Sequence, residues 1–166
     1  MHYSTWVDLH CQTRHGLRYQ LIANMYLAFD TLAAPVKGML RELTAVHDGL
    51  QDLALYGIRP KADTHYPLAE HPVVIRHPQT NREVLFVNAA FTSHIKGLSL
   101  RESEGILSLL YRHIAENPRL HCRVKWSKDT LVFWDNRCVQ HYAIWDYFPH
   151  TRIAERVSIK GDVRPA

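Results

Sequence analysis

Polar and apolar residues alternate over residues 152–160. Ile153, Val157 and Ile159 fall on one side, and Arg152, Arg156 and Ser158 on the other. That two-residue period predicts a strand with one face turned to a core. Residues 130–134 (Thr-Leu-Val-Phe-Trp) form a β-branched and aromatic run behind the turn-like Ser127-Lys128-Asp129, and predict a second strand that stops at Asp135-Asn136. Residues 120–126 predict another, with Cys122 in the core beside Leu120 and Val124. Residues 73–77 and 84–88 are short β-rich runs joined by a Pro78-to-Arg82 turn, a hairpin pattern. Upstream the period changes to that of helices. Met25, Ala28, Phe29 and Leu32 mark one over residues 24–32, and Pro35 opens a second whose apolar positions are Val36, Met39, Leu40, Leu43 and Val46. Ser99-Leu100-Arg101-Glu102 is a capping box; it starts a helix carrying Ile106, Leu107, Leu109, Leu110 and Ile114, which Asn117-Pro118 closes. Residues 51–69 lack periodicity and predict a long loop. Helices first and hairpin-spaced strands later point to an α+β chain built on an antiparallel sheet.

Composition narrows the class. A chain of 166 residues with 46% hydrophobic content suits a single globular domain. Its net charge of +4 comes from dispersed residues, without the basic stripe of a nucleic-acid binder, and suits a small anionic ligand. No apolar run is long enough for a membrane span. Three irregularly spaced cysteines, Cys11, Cys122 and Cys138, do not make a disulfide framework, and with no signal peptide they lead to an expected cytoplasmic location. His10, Cys11 and His15 lack the second ligand pair of a zinc site.

The candidate chemistry lies near the end of the chain. His141 follows the 130–134 strand, beyond its end, where binding groups are often found. Arg152 and Arg156 share a strand face, roughly 13 Å apart by strand rise. Guanidinium forks match carboxylate, sulfonate or sulfate oxygens and stay charged when desolvated, so two of them suggest two anions or one dianion.

The segment Trp134-Asp135-Asn136-Arg137, then His141, Ala143, Asp146-Tyr147, Arg152 and Arg156, closely resembles the C-terminal signature of the taurine dioxygenase and 2,4-dichlorophenoxyacetate dioxygenase family. The resemblance extends upstream through Phe91-Thr92, Leu85-Phe86-Val87-Asn88, His77-Pro78, His71-Pro72 and the stretch from Ala23 to Asp48, which it leads us to expect as helical. It implies a double-stranded β-helix, or jelly roll, with flanking helices, and an Fe(II)- and 2-oxoglutarate-dependent oxygenase using O2. By the same resemblance His141 would be one ligand of a 2-His-1-carboxylate iron site, Arg152 would hold the far carboxylate of 2-oxoglutarate, and Arg156 the substrate's anionic head. Phe91 would line the substrate pocket. The substrate would be a small sulfonate, sulfate or carboxylate.

One departure is plain. The family's first two iron ligands lie in an H-x-D motif, and neither H-x-D nor H-x-E occurs in this sequence. Its G-G-D-T segment is replaced by Gly16-Leu17-Arg18-Tyr19-Gln20, so the threonine that assists with 2-oxoglutarate is missing as well. His2, Asp8 and His10 are substitutes in residue type but not in spacing. Residues 1–20 are therefore expected to be a non-matching leader, and residues 21–166 a partial dioxygenase domain lacking its front. A catalytically inactive, anion-binding remnant of the family is the alternative function. The uncovered sheet edge that the loss would leave makes a homo-oligomer an expectation too.

Overall fold

The computed structural model describes residues 4–13, 19–55, 57–146, 148–149 and 152–161, with backbone only for 4–13, 54–55, 152–155 and 160. Two sheets frame the site. In the first, β1 (Ser4–Thr13) lies between β11 (Arg152–Lys160) and β9 (Phe133–Trp134). In the second, β2 (Tyr19–Asn24) lies between β10 (Val139–Ala143) and β8 (His121–Lys125). A third sheet sets β3 (Thr44–Asp48) between β4 (Leu68–Pro72) and β7 (Thr92–Ile95), and β5 (Val74–Arg76) pairs with β6 (Glu83–Leu85). Every pairing is antiparallel. With four flanking α-helices among the described residues, this is the expected α+β jelly-roll architecture. Part of the stretch set apart as a leader is thus β1, the central strand of its sheet.

The helices begin where side chains can satisfy their free N–H groups. Asn24 accepts from the Leu27 N–H at the start of α1 (Met25–Asp30), and Pro35 sits in the first turn of α2 (Ala34–Arg41). Before α4 (Leu100–Ala115), Ser99 and Glu102 form the reciprocal capping box. The main core joins α1 and α4 to β5, β6 and β7, with Met25, Phe29, Ile75, Leu85, Ile95 and Leu110 nearly or fully buried. Each such side chain contributes about 1.5–3 kcal/mol of transfer free energy. A smaller cluster, Trp126 and Trp134 with Ile22, Val132 and Val139 against them, lies between the two framing sheets.

Several expectations are corrected. The second helix ends at Arg41, and Val46 belongs to β3, because the strands on either side offer hydrogen bonds that outweigh a helical spacing of apolar residues. For the same reason Ala23 to Asp48 is not helical throughout. The expected loop at 51–69 holds most of a short helix, α3 (Gly49–Leu55), and the start of β4. The strand expected over 130–134 is only two residues long, and β7 was not foreseen. Cys122 is exposed, and so are Val157 and Ile159 on the supposed core face of β11. Phe133 and Val157 both lie opposite Asp8 in register, so they share the outer face of the first sheet. The core lies on the other face, with Trp134.

Candidate active site

The Trp134-Asp135-Asn136-Arg137 motif builds the connection from β9 to β10. Asp135 Oδ2 meets Arg137 Nη2 at 2.6 Å and His77 Nε2 at 2.9 Å, all three residues being buried. Its Oδ1 accepts from the Arg137 backbone N–H, and its carbonyl accepts from the N–H groups of Cys138 and Val139. Asn136 accepts from the indole N–H of Trp134 at 2.9 Å. Burial works to raise the Asp135 carboxyl, but hydrogen bonds from Arg137 and His77 outweigh it and hold the carboxyl below its ordinary range. Through its bonds to Asp135, Arg137 is held above the ordinary arginine value. Burial pushes up the neighbouring Cys138 thiol.

This ionic knot aims Trp134 and, four residues after Arg137, His141. The histidine lies within β10 opposite Ile22, inside a strand and not in a loop past one. Its ring packs against Trp134 with centroids 4.8 Å apart, and its Nδ1 lies 2.9 Å from Gln20 Nε2. The contact crosses between the framing sheets, since Trp134 belongs to one and His141 to the other.

Register then locates Arg156. Trp134 and Ser158 both lie opposite Val7 and so stand on the same face of their sheet; Arg156, two residues from Ser158, shares that face. It is exposed, as is His141. Arg152 lies opposite Thr13 in register, and its side chain is outside the described residues. Phe91, 36% exposed, lies in a turn held by Asn88 and Thr92, where Tyr111 donates to both carbonyls. Gln140 donates to the Val87 carbonyl, which ties the segment carrying Phe91 to the face of β10 opposite His141. His2, the side chains of Asp8, His10 and Cys11, and His15 lie outside the described residues.

A facial iron site needs two donors besides His141. Among the described residues, the group of three or more metal-type donors is His77, Asp135 and Cys138, their atoms within 4.8 Å of one another. There the Arg137 guanidinium already clasps the carboxylate. Gln20, moreover, presents an amide nitrogen to Nδ1. The 2.9 Å contact is a hydrogen bond whose donor depends on the imidazole tautomer. His141 belongs to no such group of metal-type donors among the described residues.

Sequence reading missed Gln20, which is 1% exposed, and the bond from His77 to Asp135. An aspartate and an arginine two apart behind a strand signalled a local ion pair; nothing in the spacing announced its third member 58 residues upstream. A buried imidazole pair was also missed. His47 and His71 lie edge to face, with centroids 5.5 Å apart, and both pack on Phe86.

Comparison with known proteins agrees with this geometry. The family described as taurine catabolism dioxygenase TauD, TfdA family matches residues 5–158. An alpha-ketoglutarate-dependent sulfonate dioxygenase of Saccharomyces cerevisiae is 36% identical over 132 residues, which are 76% of this chain and 31% of the yeast protein. An alpha-ketoglutarate-dependent sulfate ester dioxygenase of Pseudomonas putida is 32% identical over 153 residues, 85% of this chain and 50% of that protein. The chain thus spans a third to a half of the length of these curated relatives. The crystal structure of a taurine dioxygenase from Burkholderia xenovorans superposes with a TM-score of 0.80 at 31% identity, covering 98% of this chain and 55% of that one. By fold alone, AAD-2 in complex with Mn(II) and N-oxalylglycine is similar too, with a TM-score of 0.87 at 22% identity over 98% of this chain and 65% of that one. The chain belongs to the taurine catabolism dioxygenase TauD, TfdA family.

Proposed function

We propose that the chain supplies the substrate-facing side of an Fe(II)- and 2-oxoglutarate-dependent dioxygenase that hydroxylates a small sulfonate, sulfate ester or carboxylate. The observation that carries this is the position of Arg156 on the sheet face that bears Trp134, whose ring packs on His141. A planar fork there suits a three-oxygen anionic head, and the 4% exposed Trp134 helps to keep water from it. In this reading Arg152 holds the distal carboxylate of 2-oxoglutarate and Phe91 forms an apolar wall for the substrate. His141 is one metal ligand of the whole protein. Relatives named for sulfonates and sulfate esters support the choice of anion. Iron and O2 belong to the reaction of the whole protein; within this chain the described residues bind and orient. In this proposal β1 and β2 belong to the same domain as the rest of the described chain, and scarce cysteines favour the cytoplasm. No described helix is long and apolar enough to cross a membrane.

A second reading, a non-catalytic anion-binding form, is favoured by the lack of an H-x-D or H-x-E motif in this sequence. One experiment separates the two. Under anaerobic conditions the protein is mixed with Fe(II) and 2-oxoglutarate, visible absorption is recorded, and succinate is measured after air and a sulfonate are admitted. A charge-transfer band and substrate-dependent succinate are expected for the oxygenase. Neither signal, with taurine still bound, leaves the anion-binding form.

A further inference from the structure

A cavity of about 410 Å³, a volume that suits a small molecule, opens on the inner face of the second framing sheet. Register explains its place. Cys122 lies opposite Ile22, and Val139 lies opposite Asn24, so these four side chains share one face of the sheet. α1 begins at the residue after Asn24 and brings Leu27 to the cavity, while the 3-10 turn Pro118–Leu120 brings in the buried Leu120. The walls are thus Ile22, Leu27, Leu120 and Val139, with the thiols of Cys122 and Cys138. We propose that this cavity binds a small anionic amphiphile, an unbranched medium-chain carboxylate whose head pairs with Arg119 and whose chain lies along the four apolar residues.

The polar groups on the wall decide the head. Most of them are already engaged: Asn24 Oδ1 accepts from the Leu27 N–H, the Tyr26 hydroxyl bonds to Thr80, His121 Nε2 bonds to the Ile114 carbonyl, and the Cys138 thiol donates to the Asp135 carbonyl. Arg119 differs. Its side chain lines the cavity, is exposed, and has no ion-pair partner among the described residues. The turn holds it there, since Asn117 Oδ1 accepts from the Arg119 backbone N–H at 3.2 Å and the next residue, Leu120, is 2% exposed. Among the described residues no carboxylate lines the cavity, so its charge is that of the guanidinium. A planar fork at the rim of an apolar cavity complements a carboxylate that carries an apolar body. At the inner end Ile22 and Val139 pack against the cluster of Trp126 and Trp134, which closes the cavity to a longer or bulkier chain.

Cys122 is exposed and lines the cavity, so its thiol reports occupancy. The test is alkylation of Cys122 by iodoacetamide at about pH 8, where an ordinary thiol is partly ionised, read by peptide mass spectrometry with increasing octanoate. Octanoate is expected to slow the reaction at least fivefold at saturation, and acetate, which has the head without the chain, is expected to leave it unchanged. Hexanoate should need about tenfold more than octanoate for half-protection, since each buried methylene contributes about fourfold. Arg119→Gln should raise the octanoate needed by about fivefold, the worth of an exposed ion pair, and leave protection by uncharged octanol as it was. Leu27→Trp fills the cavity and should abolish protection. Should Leu27→Trp not fold, the chain-length series in wild type and the exposed Arg119→Gln suffice. Alkylation indifferent to octanoate, hexanoate as effective as octanoate, an unchanged octanoate requirement in Arg119→Gln, or full protection in a folded Leu27→Trp would each overturn the proposal. Neither iron nor Arg156 takes part in any arm, so failure of the oxygenase reading leaves this result unaffected.

Discussion

Acid should weaken this fold through a histidine that has no part in the chemistry. His47 is 5% exposed, its Nε2 has no hydrogen-bond partner, and its Nδ1 has only the Thr92 hydroxyl at 3.3 Å. Burial foremost, and then repulsion from His71, lower its pKa from 6.5 to about 4. That gap corresponds to on the order of 3 kcal/mol. The sign follows from which state takes the proton first. As pH falls, the unfolded chain protonates at its ordinary value while the folded chain does not, so the unfolded state gains. Stability is fully present above 6.5, declines toward 4, and declines no further on this account once the folded form is protonated as well.

Urea denaturation at closely spaced pH values between about 7.5 and 4 measures that loss. His47→Phe preserves the aromatic packing on Phe86 and removes the titrating group, so its stability should fall less over the same range by about 3 kcal/mol. At neutral pH the variant should be no less stable than wild type, because it eliminates a buried nitrogen without a partner. Equal pH slopes in the two proteins would refute the reasoning. So would a His47 proton resonance in wild type that titrates near 6.5, a measurement that does not depend on the variant folding.

Arg137→Met leaves the buried Asp135 with His77 alone and should cost about 3–5 kcal/mol, read as a lowered urea midpoint; a loss below 1 kcal/mol would mean the pair is not buried as described. Because the Asp135 carboxyl is held low, its contribution should persist down to the ordinary carboxylate range and disappear only as pH falls through the folded value, which acid unfolding of wild type and variant will compare. Ser99→Ala breaks the capping box of α4 and should cost about 1 kcal/mol, with Ser99→Asp restoring most of it in the same thermal melt. Arg156→Ala should change stability by under about 0.5 kcal/mol, since the side chain is exposed, yet weaken taurine binding at least tenfold by calorimetry.

Local signals in the sequence were reliable where local physics decides the outcome. The capping box at Ser99, the proline opening α2 and the hairpin turn before β6, with Asn81 at a φ of 55°, all depend on residues within a few positions of one another. Sites requiring distant partners were not legible. Val46 reads as a helical position until β4 and β7 arrive on either side, and Gln20 reads as an unremarkable polar residue until β10 is laid against β2. The shared face of Arg156 and Trp134 likewise appears only once β1 is inserted between their strands. Alternation alone placed Arg152 and Arg156 on one side of a strand without saying what that side faces.

The most recognisable motif in the chain is mainly scaffold. Trp134 fills the space between the framing sheets, Asn136 fixes its indole, and Asp135 with Arg137 and His77 locks the turn to the β5–β6 hairpin. Each element reduces the freedom of His141, which sits on a strand whose start is pinned by that turn. A family can retain such a knot while its ligands diverge, because the knot stabilises the fold whatever the site binds. Gln20 meets the imidazole itself, from the strand beside β10. Strength of the motif therefore argues for the fold.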